Sequence, residues 1–150
     1  MALAGKIEKQ IEINAPAEKF YHLFKKECYH ISTASPANIQ AVDVHEGDWD
    51  KHGAVKVWKY TVEGRNETYK ERVEHDDVDM SVTLVGLEGD VFRYFKSWKP
   101  VYKVIPKGKG SVARLSIEYE KLNESAPDPN AYVDFMVSIA KDVDAHITKA

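Results

Sequence analysis

Cysteine is nearly absent from this chain of 150 residues. The one thiol, Cys28, excludes an internal disulfide and fits a reducing compartment. Long apolar runs are missing too: no window approaches eighteen such residues, so no helical membrane span is expected. Basic clusters are also lacking. Lysine and arginine total 21 against 24 acids, and no basic run is long enough to grip a phosphate backbone, so nucleic acid is not an expected partner. The opening text MALAGKIEKQIEI reaches lysine and glutamate before any apolar run forms, unlike a secretory leader. A cytoplasmic location is the expectation.

What is present reads as one globular domain over residues 1–150. A chain of this length buries roughly 68–70% of its unfolded surface, enough for a core without staples. GKIEKQIEIN, residues 5–14, alternates as a strand, with Ile7, Ile11 and Ile13 between charged residues. The period then changes: Asn14 is a candidate cap, and Phe20, Leu23 and Phe24 recur at helical steps. A second short helix through Cys28 to Thr33 is expected to end before Pro36. From residue 38 to 121, alternating segments with short links predict six strands in an antiparallel meander, the fifth of them written VFRYFKSWKPVYKVI. After NESAPDPN, the positions Tyr132, Phe135, Met136, Ile139, Val143 and Ile147 predict a helix of about twenty residues, with Asp134, Lys141, Asp142 and Asp144 mostly on its other side. A long antiparallel sheet curls, so an α+β fold with the sheet bent around this helix is the economical arrangement.

Alternation also assigns faces. One parity gathers Lys56, Trp58 and Tyr60, then Trp98 and Tyr102, then Tyr119, opposite Tyr132, Phe135 and Met136 on the helix. A dry packed core is one reading of that face. A lined cavity suits it better, because buried tyrosines and tryptophans need partners for their polar atoms.

HEGDWDKHG, residues 45–53, is the densest cluster of candidate ligating groups. His45 and His52 lie seven apart in a link between strands, without the rigid two-histidine spacing of a zinc site. The stretch lacks a glycine-rich run followed by lysine and serine or threonine, and its three acids repel an anion. A structural loop is the expectation, with Gly47 and Gly53 supplying turns. ERVEHDDVD has no calcium-loop spacing and reads as a solvated hairpin. No catalytic triad is recognisable among the six histidines. No metal, cofactor or catalytic residue is assigned. Cys28 reads as a small buried apolar residue rather than an activated thiol.

The collinear blocks GKIEKQIEINAPAEKFYHLF, ASPANIQAVDVHEGDW, GAVKVWKY, YKERVE, LEGD, YFKSW and KGKGSVARLSIEYEKLNE, followed by the terminal helix, resemble the plant major latex protein family. That family is a branch of the group containing the birch-pollen major allergen and the pathogenesis-related proteins of the tenth class. The resemblance implies the helix-grip fold: a seven-stranded curved antiparallel sheet, two short helices in a V, and a long C-terminal helix over a hollow interior. The loop between the second and third strands is glycine-rich in the allergen branch; here Gly47 and Gly53 alone remain.

The resemblance further implies a carrier of hydrophobic small molecules such as steroids, phytohormones or flavonoids, linked to defence or stress, and a monomer or weak dimer. Its implied ligand-binding residues on the strands are Lys56, Trp58, Tyr60, Val82, Leu84, Trp98, Tyr102, Leu115, Ile117 and Tyr119. Phe20 and Phe24 join from the first helix, and Tyr132, Phe135, Met136 and Ile139 from the last. Two alternatives stand beside it. One is an enzyme of specialised, alkaloid-type metabolism using the same cavity, with Lys56 and His22 as acid–base candidates. The other is a protein-interaction module acting through its loops.

Overall fold

A computed structural model describes residues 3–149. The expected unit of residues 1–150 includes Met1, Ala2 and Ala150, which lie outside them. The chain opens with β1 (Ala4–Ile13) and α1 (Ala17–Lys26). A single 3-10 turn at Cys28–His30 leads into the one-turn α2 (Ile31–Ala34). Strands β2 (Ile39–Glu46), β3 (Val55–Val62), β4 (Arg65–Asp76), β5 (Ser81–Gly89), β6 (Phe95–Lys107) and β7 (Gly110–Lys121) follow, then α3 (Asn130–Thr148). The sheet order is β1-β7-β6-β5-β4-β3-β2, antiparallel throughout. Helix α3 touches β1 and β7 at one flank and β3 near the other, so the seven strands curve around it. This is the expected α+β helix-grip architecture.

Local chemistry explains the elements and three departures. The β3 burial alternates as its apolar parity requires, with Trp58, Tyr60 and Val62 inward and Lys59 exposed. On α1, Phe20, Leu23 and Phe24 are buried at helical spacing, together with Ala17 and Tyr21. The first departure is that Asn14 does not cap α1 with its side chain; Pro16 precedes the helix, and its carbonyl accepts from the Lys19 and Phe20 N–H groups. The second is that VFRY does not open the sixth strand: residues Asp90–Arg93 form a 3-10 turn and the strand begins at Phe95. The third concerns Asp142 and Asp144, which are half-buried and clasp other elements rather than facing solvent. The Ser35 hydroxyl donates to Asp142 at 2.6 Å, and the Ala15 N–H donates to Asp144 at 2.8 Å.

One ladder of the sheet is short. Strands β5 and β6 pair over Ser81–Thr83 with Val101–Lys103 and then diverge. Pro100 stands just beyond that ladder, where its missing N–H leaves no β5 bond unmade. The Tyr69 hydroxyl reaches across from β4 into the seam, 2.6 Å from the Leu84 carbonyl and 3.1 Å from that of Trp98. Gly86 is required there, because a Cβ would lie 2.8 Å from that hydroxyl and 2.9 Å from the Trp98 carbonyl oxygen.

Candidate functional site: an apolar cavity with polar ends

Between α3 and the concave face of the sheet lies a cavity walled by Trp58, Tyr60, Val82, Leu84, Trp98 and Tyr102 of the strands. Ile117 of β7, Phe24 of α1 and Tyr132, Phe135, Met136 and Ile139 of α3 complete the expected part of the lining, with Lys56 among them. The space between these walls, counted out into the solvent at its mouth, is about 740 Å³. Three expected residues do not reach it. Phe20 and Leu115 are buried in the surrounding core, with the Phe20 ring tilted against Phe24 at 4.9 Å. Tyr119 lies past the cavity, packed edge-on against Phe95 at 5.6 Å.

The polar atoms sit at two ends of one wall. At the first end Lys56 and Glu71 are opposite each other in the β3–β4 register. Lys56 is 1% exposed, and its ammonium donates to Cys28 Sγ at 3.1 Å and to the Trp49 carbonyl at 2.9 Å. Trp49 also places its ring 5.6 Å from Nζ. Glu71 is 0% exposed, and neither of its carboxyl oxygens meets a protein donor. Burial pushes its pKa up to about 8, a rise that Lys56 and the nearby Trp58 indole only partly oppose. No N–H···O bond of ordinary geometry joins Trp58 to Glu71, and the indole nitrogen is likewise buried without a partner. Burial also pushes the Cys28 thiol up against the opposing Lys56 charge, so Cys28 is not an activated nucleophile.

At the second end, four residues along the strand, Tyr60 pairs in register with Glu67. The Tyr60 and Tyr132 hydroxyls both donate to the Glu67 carboxylate, at 3.0 and 2.9 Å, and Arg65 Nε lies 3.4 Å from its other oxygen. Burial first, then Glu67, pushes both phenols above their ordinary range. The two ends are separated by roughly 13 Å, four residues at 3.3 Å each.

Sequence reading missed the β4 contribution to this wall: Tyr69, Glu71 and Val73 line the cavity, as do Cys28, Ile31, Ile39 and Pro100. The signal was present in TYKERVE, where Tyr69 and Val73 share Glu71's parity. The solvated-hairpin reading holds for the Asp76–Asp79 turn, where Asp76 accepts from the Val78 and Asp79 N–H groups at 3.0 Å. It fails for Glu71, which points inward. HEGDWDKHG closes β2 with His45 and Glu46 and is a loop from Gly47 to Gly53, both at positive φ, yet through Trp49 it also buttresses Lys56. His22 faces outward, its Nε2 3.7 Å from Glu27, and does not reach the cavity. Among the described residues no cluster of three His, Cys, Asp or Glu side chains could hold a metal ion. Nor, among them, is any helix long and apolar enough to cross a membrane.

A curved antiparallel sheet gripping one long helix, with an apolar hollow between them, defines a helix-grip protein. The chain belongs to the pathogenesis-related protein Bet v 1 family, whose model matches residues 2–150. It is 37% identical over 151 residues to MLP-like protein 328 of Arabidopsis thaliana, covering the whole of both chains. It is 39% identical over 149 residues to MLP-like protein 28 of the same plant, covering 97% of this chain but 44% of that one. Its structure matches ginseng major latex-like protein 151 from Panax ginseng with a TM-score of 0.94 at 39% identity, covering 98% and 99% of the two chains. The resemblance to major latex proteins therefore holds over the full length. Norcoclaurine synthase from Thalictrum flavum shares the fold alone, with a TM-score of 0.79 at 16% identity over 98% and 88% of the chains.

Proposed function

We propose that residues 1–150 act as one ligand-binding unit, a non-enzymatic carrier that holds a hydrophobic plant metabolite between α3 and the sheet. The observation that carries this reading is the cavity itself: an apolar-walled space with Lys56 and Glu71 toward one end of the β3–β4 wall and Tyr60 toward the other. A steroid-, hormone- or flavonoid-like molecule suits such walls, which exclude water from its rings while the ends orient it. A role in plant defence or stress is supported by the family's name, pathogenesis-related. The cytoplasm as its location, and a monomer or weak dimer as its working form, belong to the same proposal.

Turnover in the same cavity is the second reading, and the observation behind it is the fully buried, protonatable Glu71 beside Lys56. Native mass spectrometry of the protein incubated with a plant metabolite extract, followed by denaturing release, separates the two. A compound recovered intact at one per chain supports the carrier. A chemically altered compound moves the assignment to an enzyme. No bound compound across extracts contradicts both and favours interaction through loops.

A further inference from the structure

Glu71 and Trp58 are the wall residues whose buried polar atoms have no protein partner, and they stand at the same end of the cavity. A buried donor or acceptor left unpaired costs the full desolvation of that group, so such atoms are retained where something else satisfies them. No protein group does so with ordinary hydrogen-bond geometry, although the Trp58 indole lies close enough to Glu71 to oppose the rise in its pKa. Lys56, across the strand pair from Glu71, directs its hydrogen bonds to Cys28 and to the Trp49 carbonyl. The second polar end is different in kind, because its phenols and Glu67 already satisfy one another. One end of the cavity is closed on itself, and the other keeps buried polar atoms unpaired.

We propose that Glu71 and Trp58 anchor the ligand and select one that carries an uncharged hydroxyl on an apolar ring body. This deepens the carrier reading and rests on it. The matching of donors and acceptors sets the choice. The Trp58 indole donates only, whereas a neutral carboxyl both donates and accepts. A hydroxyl does both as well: its oxygen takes the indole N–H, and its proton goes to a Glu71 oxygen. A ligand carboxylate can accept from the indole and from the Glu71 proton, but it carries a full negative charge into an apolar interior. A ligand ammonium has no lone pair for the indole and places its charge next to Lys56. The hydroxyl's second lone pair faces the Glu71 proton, so the group pairs the indole and the carboxyl and adds no charge to the interior. The apolar body then runs along Tyr102 and Val82 toward Phe135.

Four probes of one shape test this: naphthol, methylnaphthalene, naphthoate and naphthylmethylamine, titrated calorimetrically into the whole chain at pH 7. Naphthol should bind about tenfold more tightly than methylnaphthalene, the equivalent of one net buried hydrogen bond. Glu71→Gln, which still donates and accepts, should keep the preference. Glu71→Leu should abolish it without weakening methylnaphthalene, and Trp58→Phe should reduce it. Should Glu71→Leu fail to fold, Trp58→Phe carries the same reading. Equal binding of naphthol and methylnaphthalene, tighter binding of either charged probe, or a preference that survives both substitutions overturns the anchor and leaves the carrier standing. If none of the four binds, the carrier falls, and the anchor with it.

Discussion

Glu71 is the residue at which polarity and position disagree most. Its letters sit in an acidic stretch, but its β4 parity is that of Tyr69 and Val73, and the strand sets the direction of the side chain. Parity carried the inward placement but the charged letters hid it, and the absence of a partner had no signal, because it depends on where Lys56 sends its hydrogen bonds. The consequence can be read against pH. The folded protein holds the Glu71 proton up to about pH 8, whereas an unfolded carboxyl releases it near 4.5. Between those values the folded state binds the extra proton, so this contribution to stability is complete below 4.5 and is lost as pH rises to about 8. His75 has the opposite sign. Burial, then the charge of Lys56, keeps its imidazole neutral down to about pH 4 against an ordinary 6.5, so stability rises with pH through that window. The two oppose each other below 6.5, and from 6.5 to 8 Glu71 acts alone. There the unfolding free energy from urea titrations should fall by up to roughly 1 kcal/mol per pH unit. Glu71→Gln should flatten that slope; an unchanged slope would place the titration elsewhere.

At the scale of elements, α3 is the clearest case of a legible pattern with an illegible attachment. Its apolar stripe, with Val133, Met136, Ile139, Ala140 and Val143 buried, follows from helical period. Its clasps do not, because they join positions far apart in sequence. Asp144 accepts from both the Asn14 and Ala15 N–H groups, and Lys9 pairs with Asp134 near the other end. Asp144→Ala strips two backbone donors of a charged acceptor at the corner before α1, and should cost about 1–3 kcal/mol in thermal or urea unfolding. Lys9→Ala, which removes an exposed pair, should change stability by less than about 1 kcal/mol, and the contrast separates clasp from ornament. The β5–β6 seam makes a similar point. Proline in the sixth strand hints at a broken ladder, but only the structure places the Tyr69 hydroxyl across it. Tyr69→Phe removes that hydroxyl from the Leu84 and Trp98 carbonyls and should destabilise by about 1–3 kcal/mol. Faster amide exchange in β5 and β6 should accompany the loss, and exchange confined to β4 would assign the seam to other contacts.

For the whole molecule, alternation and turns were enough to write the order of strands and helices, since each is a local property. The inner face was legible for β3, β6 and α3, where aromatics mark it. It was obscured on β4 by charged letters, and the cavity extent escaped because packing decides which inward residues touch space. Phe20 and Leu115 share the inward direction yet end in dry core. That the hollow between α3 and the sheet is the binding site is the claim on which the functional reading turns. The direct measurement is methyl NMR of the labelled chain titrated with naphthol. Shifts saturating at one probe per chain and concentrated on Val82, Ile117, Met136 and Ile139 are predicted, with the methyls of Leu23 and Ile147, which line a separate groove between α1 and α3, unmoved. Shifts confined to that groove, or none on the inner methyls at saturating probe, would contradict it.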